Sequence, residues 1–288
     1  MTSAPDDQTP SAREDREDRE DRDAVEARPA LEAELLDVAR AAARASAKVL
    51  LSYYGDARGV RTKSTDTDLV SEADVNAERA IRDLLEQRRP GDAILGEEGG
   101  ETAATSDTGI RWVVDPLDGT VNYLFQHPQW CVSVAAEDAT GKTLVGVVLD
   151  PLRDEEFAAT STTVPTLNGK PIAASTQSDL SLALVSTGFA YDSRVRARQA
   201  EVVTLLITRV RDIRRGGAAA LDLVWAAAGR TDAYYERGIN PWDFAAGALI
   251  CQRAGLAVHR LQEEAGLPGG LVVAPPALVD HLHALVVA

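Results

Sequence analysis

Cysteine is scarce in this chain: its 288 residues include two, Cys131 and Cys251. Far apart and matching no Cys-x-x-Cys spacing, they build neither a disulfide framework nor a redox pair, and both are expected to be small, reduced core residues. Long apolar runs are missing too. Nothing approaches the roughly 18 residues of a membrane span, and no basic-then-apolar leader opens the chain, so neither a transmembrane helix nor secretion is expected and a cytoplasmic location is. Basic residues are the minority, 30 Lys and Arg against 45 Asp and Glu, giving a net charge of −15. Such a field repels phosphate backbones, so nucleic acid is not an expected partner. The four histidines, His127, His259, His281 and His283, show no His-Glu-x-x-His spacing, and Gly216-Gly217 lacks the strand and pattern of a P-loop. Zinc-protease and ATP-hydrolysing chemistries are therefore not expected.

Residues 1–30 hold ten acidic and five basic side chains, with a near-repeat of Arg-Glu-Asp from Arg13 to Asp23. With almost nothing apolar to bury, this segment reads as a disordered acidic tail or a solvated, isolated helix. Residues 31–288 read as the folded part of the chain, in two tightly joined halves, 31–160 and 161–288. Leu31, Leu35, Val38 and Ala42 predict a helix from Leu31 to Tyr54, stopped at Gly55. A second helix is predicted over Glu72–Arg89, with Val75, Ala80, Ile81, Leu84 and Leu85 inward and Pro90-Gly91 at its end. Between them lies an unusually polar loop, Lys63 to Asp74. Strands are predicted at Ala93–Leu95, Trp112–Val114, Cys131–Ala135, Leu144–Leu149, Glu156–Ala159 and Leu182–Ser186, with a turn at Asn168-Gly169. Helices are predicted at Arg196–Arg209, Ala218–Ala228 and Phe244–Ala254.

Three acidic segments stand out. In Leu95-Gly96-Glu97-Glu98-Gly99-Gly100 two acids follow an apolar strand, although surface Glu pairs are common. In Trp112-Val-Val-Asp115-Pro116-Leu117-Asp118-Gly119-Thr120-Val-Asn122 a strand delivers Asp115, Pro116 fixes the turn, and Asp118 follows three residues on, so that both carboxylates can face one point. Hard cations such as Mg²⁺ take oxygen ligands, and the Leu117 carbonyl offers another. Gly119-Thr120 then presents backbone N–H groups suited to an anion. The alternative is an Asp-Pro turn with a helix cap. In Trp242-Asp243-Phe-Ala-Ala-Gly247 the lone Asp243 suits a helix N-cap, a role compatible with metal binding.

Together these segments resemble the inositol monophosphatase family: Gly-Glu-Glu at 96–98, Trp-Val-Val-Asp-Pro-Leu-Asp-Gly-Thr-Val-Asn at 112–122 and Trp-Asp-Phe-Ala-Ala-Gly at 242–247, in matching order and spacing. The similarity runs from about residue 31 to 285, through Asp-Leu-Val-Ser-Glu-Ala-Asp (68–74) and Asp-Ala-Tyr-Tyr-Glu (232–236). The resemblance implies a layered αβαβα sandwich of mixed α/β class, a Mg²⁺-dependent phosphatase of small phosphate esters with two or three ions per site, inhibition by lithium, and a homodimer. It implies Glu97, Asp115 and the Leu117 carbonyl as ligands of a first Mg²⁺, and Asp115, Asp118 and Asp243 as ligands of a second. Glu97 would also face a third, weaker ion, with Asp74 nearby.

The same resemblance makes Thr120 with Asp74 the pair that orients and deprotonates the attacking water. Gly119 and Thr120 would hold phosphate oxygens, and Asp118, the Ala219 backbone, Glu236 and Asp243 would contact the sugar ring. In the segment Arg215-Gly216-Gly217-Ala218-Ala219 a hydroxyl common in relatives is missing at Ala218, which puts substrate preference in question rather than metal chemistry. Lys63 stands where relatives often carry a basic residue near the third ion, with a plain surface lysine as the alternative, and is left off the site; Glu98 reads either as support for the metal ligands or as structural. Inositol monophosphate is the leading substrate. Histidinol phosphate, fructose 1,6-bisphosphate and a 3′-phosphoadenosine nucleotide are alternatives, as is a binding role in a transcription complex.

Overall fold

The structure is a computed structural model that describes residues 10–55, 61–62, 69–70, 72–264 and 266–287. Lys63 and most of the polar loop around it, the first nine residues, and Ala288 lie outside the described residues. The chain opens with α1 (Pro10–Tyr53), a hairpin of β1 (Arg61–Thr62) and β2 (Leu69–Val70), and α2 (Glu72–Arg88). There follow β3 (Ala93–Gly96), β4 (Gly100–Thr102), β5 (Arg111–Asp118), α3 (Thr120–Leu124), β6 (Cys131–Glu137), β7 (Thr143–Asp150), β8 (Glu155–Thr160), β9 (Thr166–Leu167) and β10 (Lys170–Pro171). After a 3₁₀ turn at Leu180–Leu182 come β11 (Leu184–Thr187), α4 (Ser193–Leu206), β12 (Asp212–Arg214), α5 (Ala219–Ala227), β13 (Ala233–Arg237), α6 (Pro241–Arg253), β14 (Ala257–Leu261), β15 (Gly270–Ala274) and α7 (Val279–Val286).

Strands β3 to β10 form an eight-stranded sheet in the order β10-β9-β8-β7-β6-β5-β3-β4, and the later strands form a five-stranded sheet in the order β12-β11-β13-β15-β14. Period-two alternation sends successive side chains to opposite faces, and here it assigns them to different cores. On β5, Trp112 and Val114 pack with Leu35, Val38 and Leu50 of α1 and Ile81 of α2. Val113 between them packs, with Cys131 and Val148, against Leu221, Leu223 and Val224 of α5 and Ala246 and Ile250 of α6. On the small sheet Tyr234, Leu271 and Val273 face that same α5–α6 layer, while Tyr235, Val272 and Ala274 face Leu206 of α4 and Leu282 of α7. The order helix, sheet, helix, sheet, helix is the expected αβαβα sandwich.

Element boundaries depart from the sequence expectations in instructive ways. Helix α1 begins at Pro10, inside the segment read as a tail, and contains Pro29. The buried face of α2 is rotated from the expected stripe: Ala77, Ile81 and Leu85 are inward, but so are Asp74 and Glu78, while Val75, Ala80 and Leu84 are only half-buried. The predicted strand Leu182–Ser186 begins at Leu184, after the 3₁₀ turn. Helix α4 starts at Ser193, where Asp192 accepts from the Arg194 N–H, and ends at Leu206. The large sheet runs on through Lys170–Pro171, past the expected division at residue 160. Among the described residues no helix is long and apolar enough to cross a membrane.

Candidate active site

In a regular strand, residues three apart point to opposite faces, so Asp115 and Asp118 should diverge. A register shift on β5 reverses this. Asp115 pairs with Ser133 and Asp118 with Cys131, so three steps on β5 oppose two on β6. A β-bulge has this effect, and it accommodates Pro116, which cannot donate to a ladder. Both carboxylates therefore face the α5–α6 layer. The turn is held from outside by Ser46 of α1, whose hydroxyl donates to the Pro116 carbonyl at 3.1 Å, and from inside by the Leu117 N–H, which donates to Asp115 Oδ1 at 2.9 Å.

The other acids arrive from neighbouring elements. Strands β3 and β5 are parallel neighbours with Gly96 opposite Val114, so Glu97 and Asp115 leave the same sheet edge side by side. Helix α6 starts at Pro241 rather than at Phe244, which makes Asp243 its third residue and not its N-cap. Its carboxylate accepts from the Asn240 N–H at 2.6 Å, half of a capping box. Asp118 performs a similar service across the fold. Its Oδ1 accepts from the Ala219 N–H at 3.1 Å and its Oδ2 from the Ala220 N–H at 2.7 Å. Ala218, at the N-cap of α5, has no side chain that could do so, so the missing hydroxyl at that position is covered by an acid from β5. The Cys131 thiol also donates to Asp118 Oδ2, at 3.6 Å.

Electrostatically this is a crowded place. Burial, followed by the Glu97, Asp118 and Asp243 charges, pushes the Asp115 carboxyl well above the usual range, and Asp115 hydrogen-bonds Glu97 directly. Two carboxyls share a hydrogen bond only with a proton between them. Burial raises Asp118 to about 6 against the pull of the two α5 amides, and burial with the Asp118 charge raises Asp243. Among the described residues, no three His, Cys, Asp or Glu side chains close on one point as a finished cage; the acids instead spend oxygens on nearby N–H groups and on one another. The donor set nevertheless fits a hard divalent cation: it is all oxygen, mutually repelling, and short of positive charge.

The proposed water-orienting pair is in contact. Thr120 Oγ1 donates to Asp74 Oδ1 at 3.1 Å and also lies 3.2 Å from the Leu117 carbonyl. Gly119 is left-handed at φ 95°, and a Cβ there would meet the Gln129 carbonyl at 2.9 Å and Ala218 Cβ at 3.2 Å. Only glycine serves at this point. The Ala219 N–H is engaged by Asp118. Glu236 lies on β13 beside Gly188, where any Cβ would fall 2.0 Å from its carboxylate. It accepts from Tyr234 Oη at 2.9 Å, and burial lifts it to about 7.

A model of the inositol monophosphatase family matches residues 31–288. The chain belongs to the inositol monophosphatase family. It is accordingly a phosphoric monoester hydrolase. The inositol-1-monophosphatase SuhB of Mycobacterium tuberculosis is 45% identical over 243 residues, covering 81% of this chain and 83% of the relative. The Nus factor SuhB of Salmonella typhimurium is 39% identical over 223 residues, covering 77% and 83%. Among solved structures, the inositol monophosphatase of Anabaena superposes with a TM-score of 0.76 at 35% identity over 88% of this chain and 95% of that one.

Further residues around the site have roles that their sequence context does not announce. Glu78 is 2% exposed and accepts from the Glu98 N–H at 2.7 Å and the Gly99 N–H at 2.8 Å. Its only sequence signal is a four-residue offset from Asp74. Asn122 donates to the Gln129 and Gly216 carbonyls at 2.6 and 3.0 Å, binding the phosphate turn to the segment before α5. Tyr234, inside the Asp-Ala-Tyr-Tyr-Glu segment, donates to Glu236, while Gly188, which makes room for that carboxylate, is marked by nothing local.

Proposed function

We propose that this enzyme hydrolyses inositol monophosphate to inositol and phosphate, using Mg²⁺ held by Glu97, Asp115, the Leu117 carbonyl, Asp118 and Asp243. Bound there, two or three Mg²⁺ ions supply charge neutralisation of the phosphate and a water acidic enough to deprotonate near neutral pH. The protein's own groups do the rest. Thr120, hydrogen-bonded to Asp74, orients the attacking water and passes its proton to the Asp74 carboxylate. The Gly119 and Thr120 N–H groups hold phosphate oxygens. Asp118, Asp243, Glu236 and the Ala219 backbone contact the ring hydroxyls. The leaving alcohol takes a proton from solvent, and no side chain forms a covalent intermediate.

One observation carries this reading: the bulge on β5 turns Asp115 and Asp118 to the same face, towards Asp243 and beside Glu97. Glu236 supports a polyol, since a carboxylate accepts from hydroxyls; it would also pair with an ammonium, so it does not exclude histidinol phosphate. Lithium inhibits, a homodimer is the working form, and the substrate is a cytoplasmic metabolite. The test is phosphate release from inositol 1-phosphate, histidinol phosphate, fructose 1,6-bisphosphate and 3′-phosphoadenosine 5′-phosphate, with Mg²⁺ and with excess chelator. The highest kcat/KM is expected on inositol 1-phosphate, with no turnover in chelator. Preference by orders of magnitude for another ester would replace the substrate; full activity in chelator would remove the metal.

A further inference from the structure

Glycine brackets Glu97 and Glu98 on both sides, at Gly96, Gly99 and Gly100, and loop freedom alone does not explain all three. Gly100 is left-handed at φ 65°. Gly96 and Gly99 are not, yet a Cβ on Gly96 would lie 2.5 Å from Glu78 Oε1 and one on Gly99 would lie 2.7 Å from the same atom. These glycines make room for a carboxylate. Glu78 uses that room to accept from two consecutive amides, Glu98 N–H at 2.7 Å and Gly99 N–H at 2.8 Å. Arg82, one turn further along α2, donates its Nε to Glu78 Oε1 at 2.7 Å and a terminal nitrogen to the Gly100 carbonyl at 2.7 Å. Another nitrogen donates to Thr102 Oγ1 at 3.0 Å.

We propose that Glu78 and Arg82 are positioning residues: a clamp on α2 that sets the backbone of the Glu97 loop and thereby the Mg²⁺ affinity of the site. The inference rests on the reading of Glu97 as a metal ligand. Its physical basis is preorganisation. Four mutually repelling acids spring apart unless their backbones are fixed, and Glu97, outside the β5 bulge, needs its own fixture. The clamp also couples both working groups of α2, since Asp74, four residues before Glu78 and on the same buried face, bonds Thr120. One helix face thus registers the water-orienting pair against the loop that carries Glu97.

The test is calorimetric titration of the full-length protein with Mg²⁺ alone, together with hydrogen exchange of the 96–100 segment, in the wild type, Glu78→Gln and Arg82→Lys. Glu78→Gln keeps the shape but turns an NH₂ group towards one of the two donors. The expected result is at least tenfold weaker Mg²⁺ binding, the order lost when a ligand's hydrogen-bonded support is removed, with faster exchange at Glu98 and Gly99. The Mg²⁺ concentration for half-maximal phosphatase activity should rise in step. A purely structural role would lower the melting temperature and leave Mg²⁺ affinity unchanged, and that outcome overturns the proposal. Should Glu78→Gln fail to fold, Arg82→Lys, at a partly exposed position, decides by the same measurement. No Mg²⁺ binding by the wild type would instead sink the metal reading, and the clamp with it.

Discussion

At the scale of single residues, the site is a set of acids whose charge must be balanced, and substitutions should reveal who balances it. Asp115 faces Glu97, Asp118 and Asp243 at once. Asp115→Asn keeps the shape and removes the charge, so phosphate release should fall at least about a hundredfold, as when a group stabilising developing charge is deleted; a near-normal rate would remove Asp115 from the site. Thr120 is the cleaner probe of proton transfer. Thr120→Ser keeps the hydroxyl 3.1 Å from Asp74 and should retain most activity. Thr120→Ala should lose about 10²–10⁴-fold in kcat, the usual contribution of a positioned acid or base, and equal rates for the two variants would contradict the dyad. Asp115, Asp118 and the Gly119–Thr120 turn stood out as candidates in the sequence because strand, proline and glycine sit at fixed offsets around them, whereas the pairing of Thr120 with Asp74 came from the family resemblance. Glu78 was not, because a lone acid on a helix looks like a solvated one until the glycines facing it are placed.

At the scale of elements, helices and strands are held at distances that leave no space for a methyl group. A Cβ on Gly146 of β7 would meet the Ala246 backbone of α6 at 2.8 Å, and α6 carries Asp243. Gly146→Ala should cost about 1–3 kcal/mol, the range for overpacking a core, read as a shifted urea midpoint with unchanged slope; an unshifted midpoint would show that α6 is free to move off the sheet. Here the sequence was half legible. The apolar runs of β5, β6, β7 and α6 announced themselves, whereas the register shift between Asp115 and Asp118 could not be seen, since it depends on the partner strand. Helix α6 was placed late because Asp243 satisfies the rule for an N-cap as well as that for the third residue of a capping box. The rotated face of α2 misled for a related reason: apolar spacing marks burial only when the buried face is apolar, and Asp74 and Glu78 are inward because both have partners.

At the scale of the whole molecule, the acids make stability depend on pH. Burial and neighbouring acids raise Asp115 and Asp243, and burial raises Asp118 from 3.8 to about 6 and Glu236 from 4.5 to about 7. The folded, metal-free protein therefore binds protons that the unfolded chain has released. The associated stability is complete below about pH 4 and is lost as pH rises through about 6 and then 7. In chelator, the melting temperature of the wild type should drop between pH 4 and 7 relative to that of Asp118→Asn, which lacks one of these protons; parallel profiles would contradict the raised Asp118. Saturating Mg²⁺ should flatten the profile by taking the protons' place.

The family and its five layers were readable from three motifs in register. The division of labour between layers was not, because β13, β15 and α7 carry no motif beyond Asp-Ala-Tyr-Tyr-Glu, and the layer each one faces depends on strand pairings that a reading along the chain does not give. The most direct measurement of the central claim is an anomalous difference map from a crystal soaked with Mn²⁺ and phosphate. The expected result is metal peaks bridged by Asp115, flanked by Glu97, Asp118 and Asp243, with phosphate at the Gly119–Thr120 turn. Peaks elsewhere, or these four carboxylates without metal at saturating Mn²⁺, would contradict it.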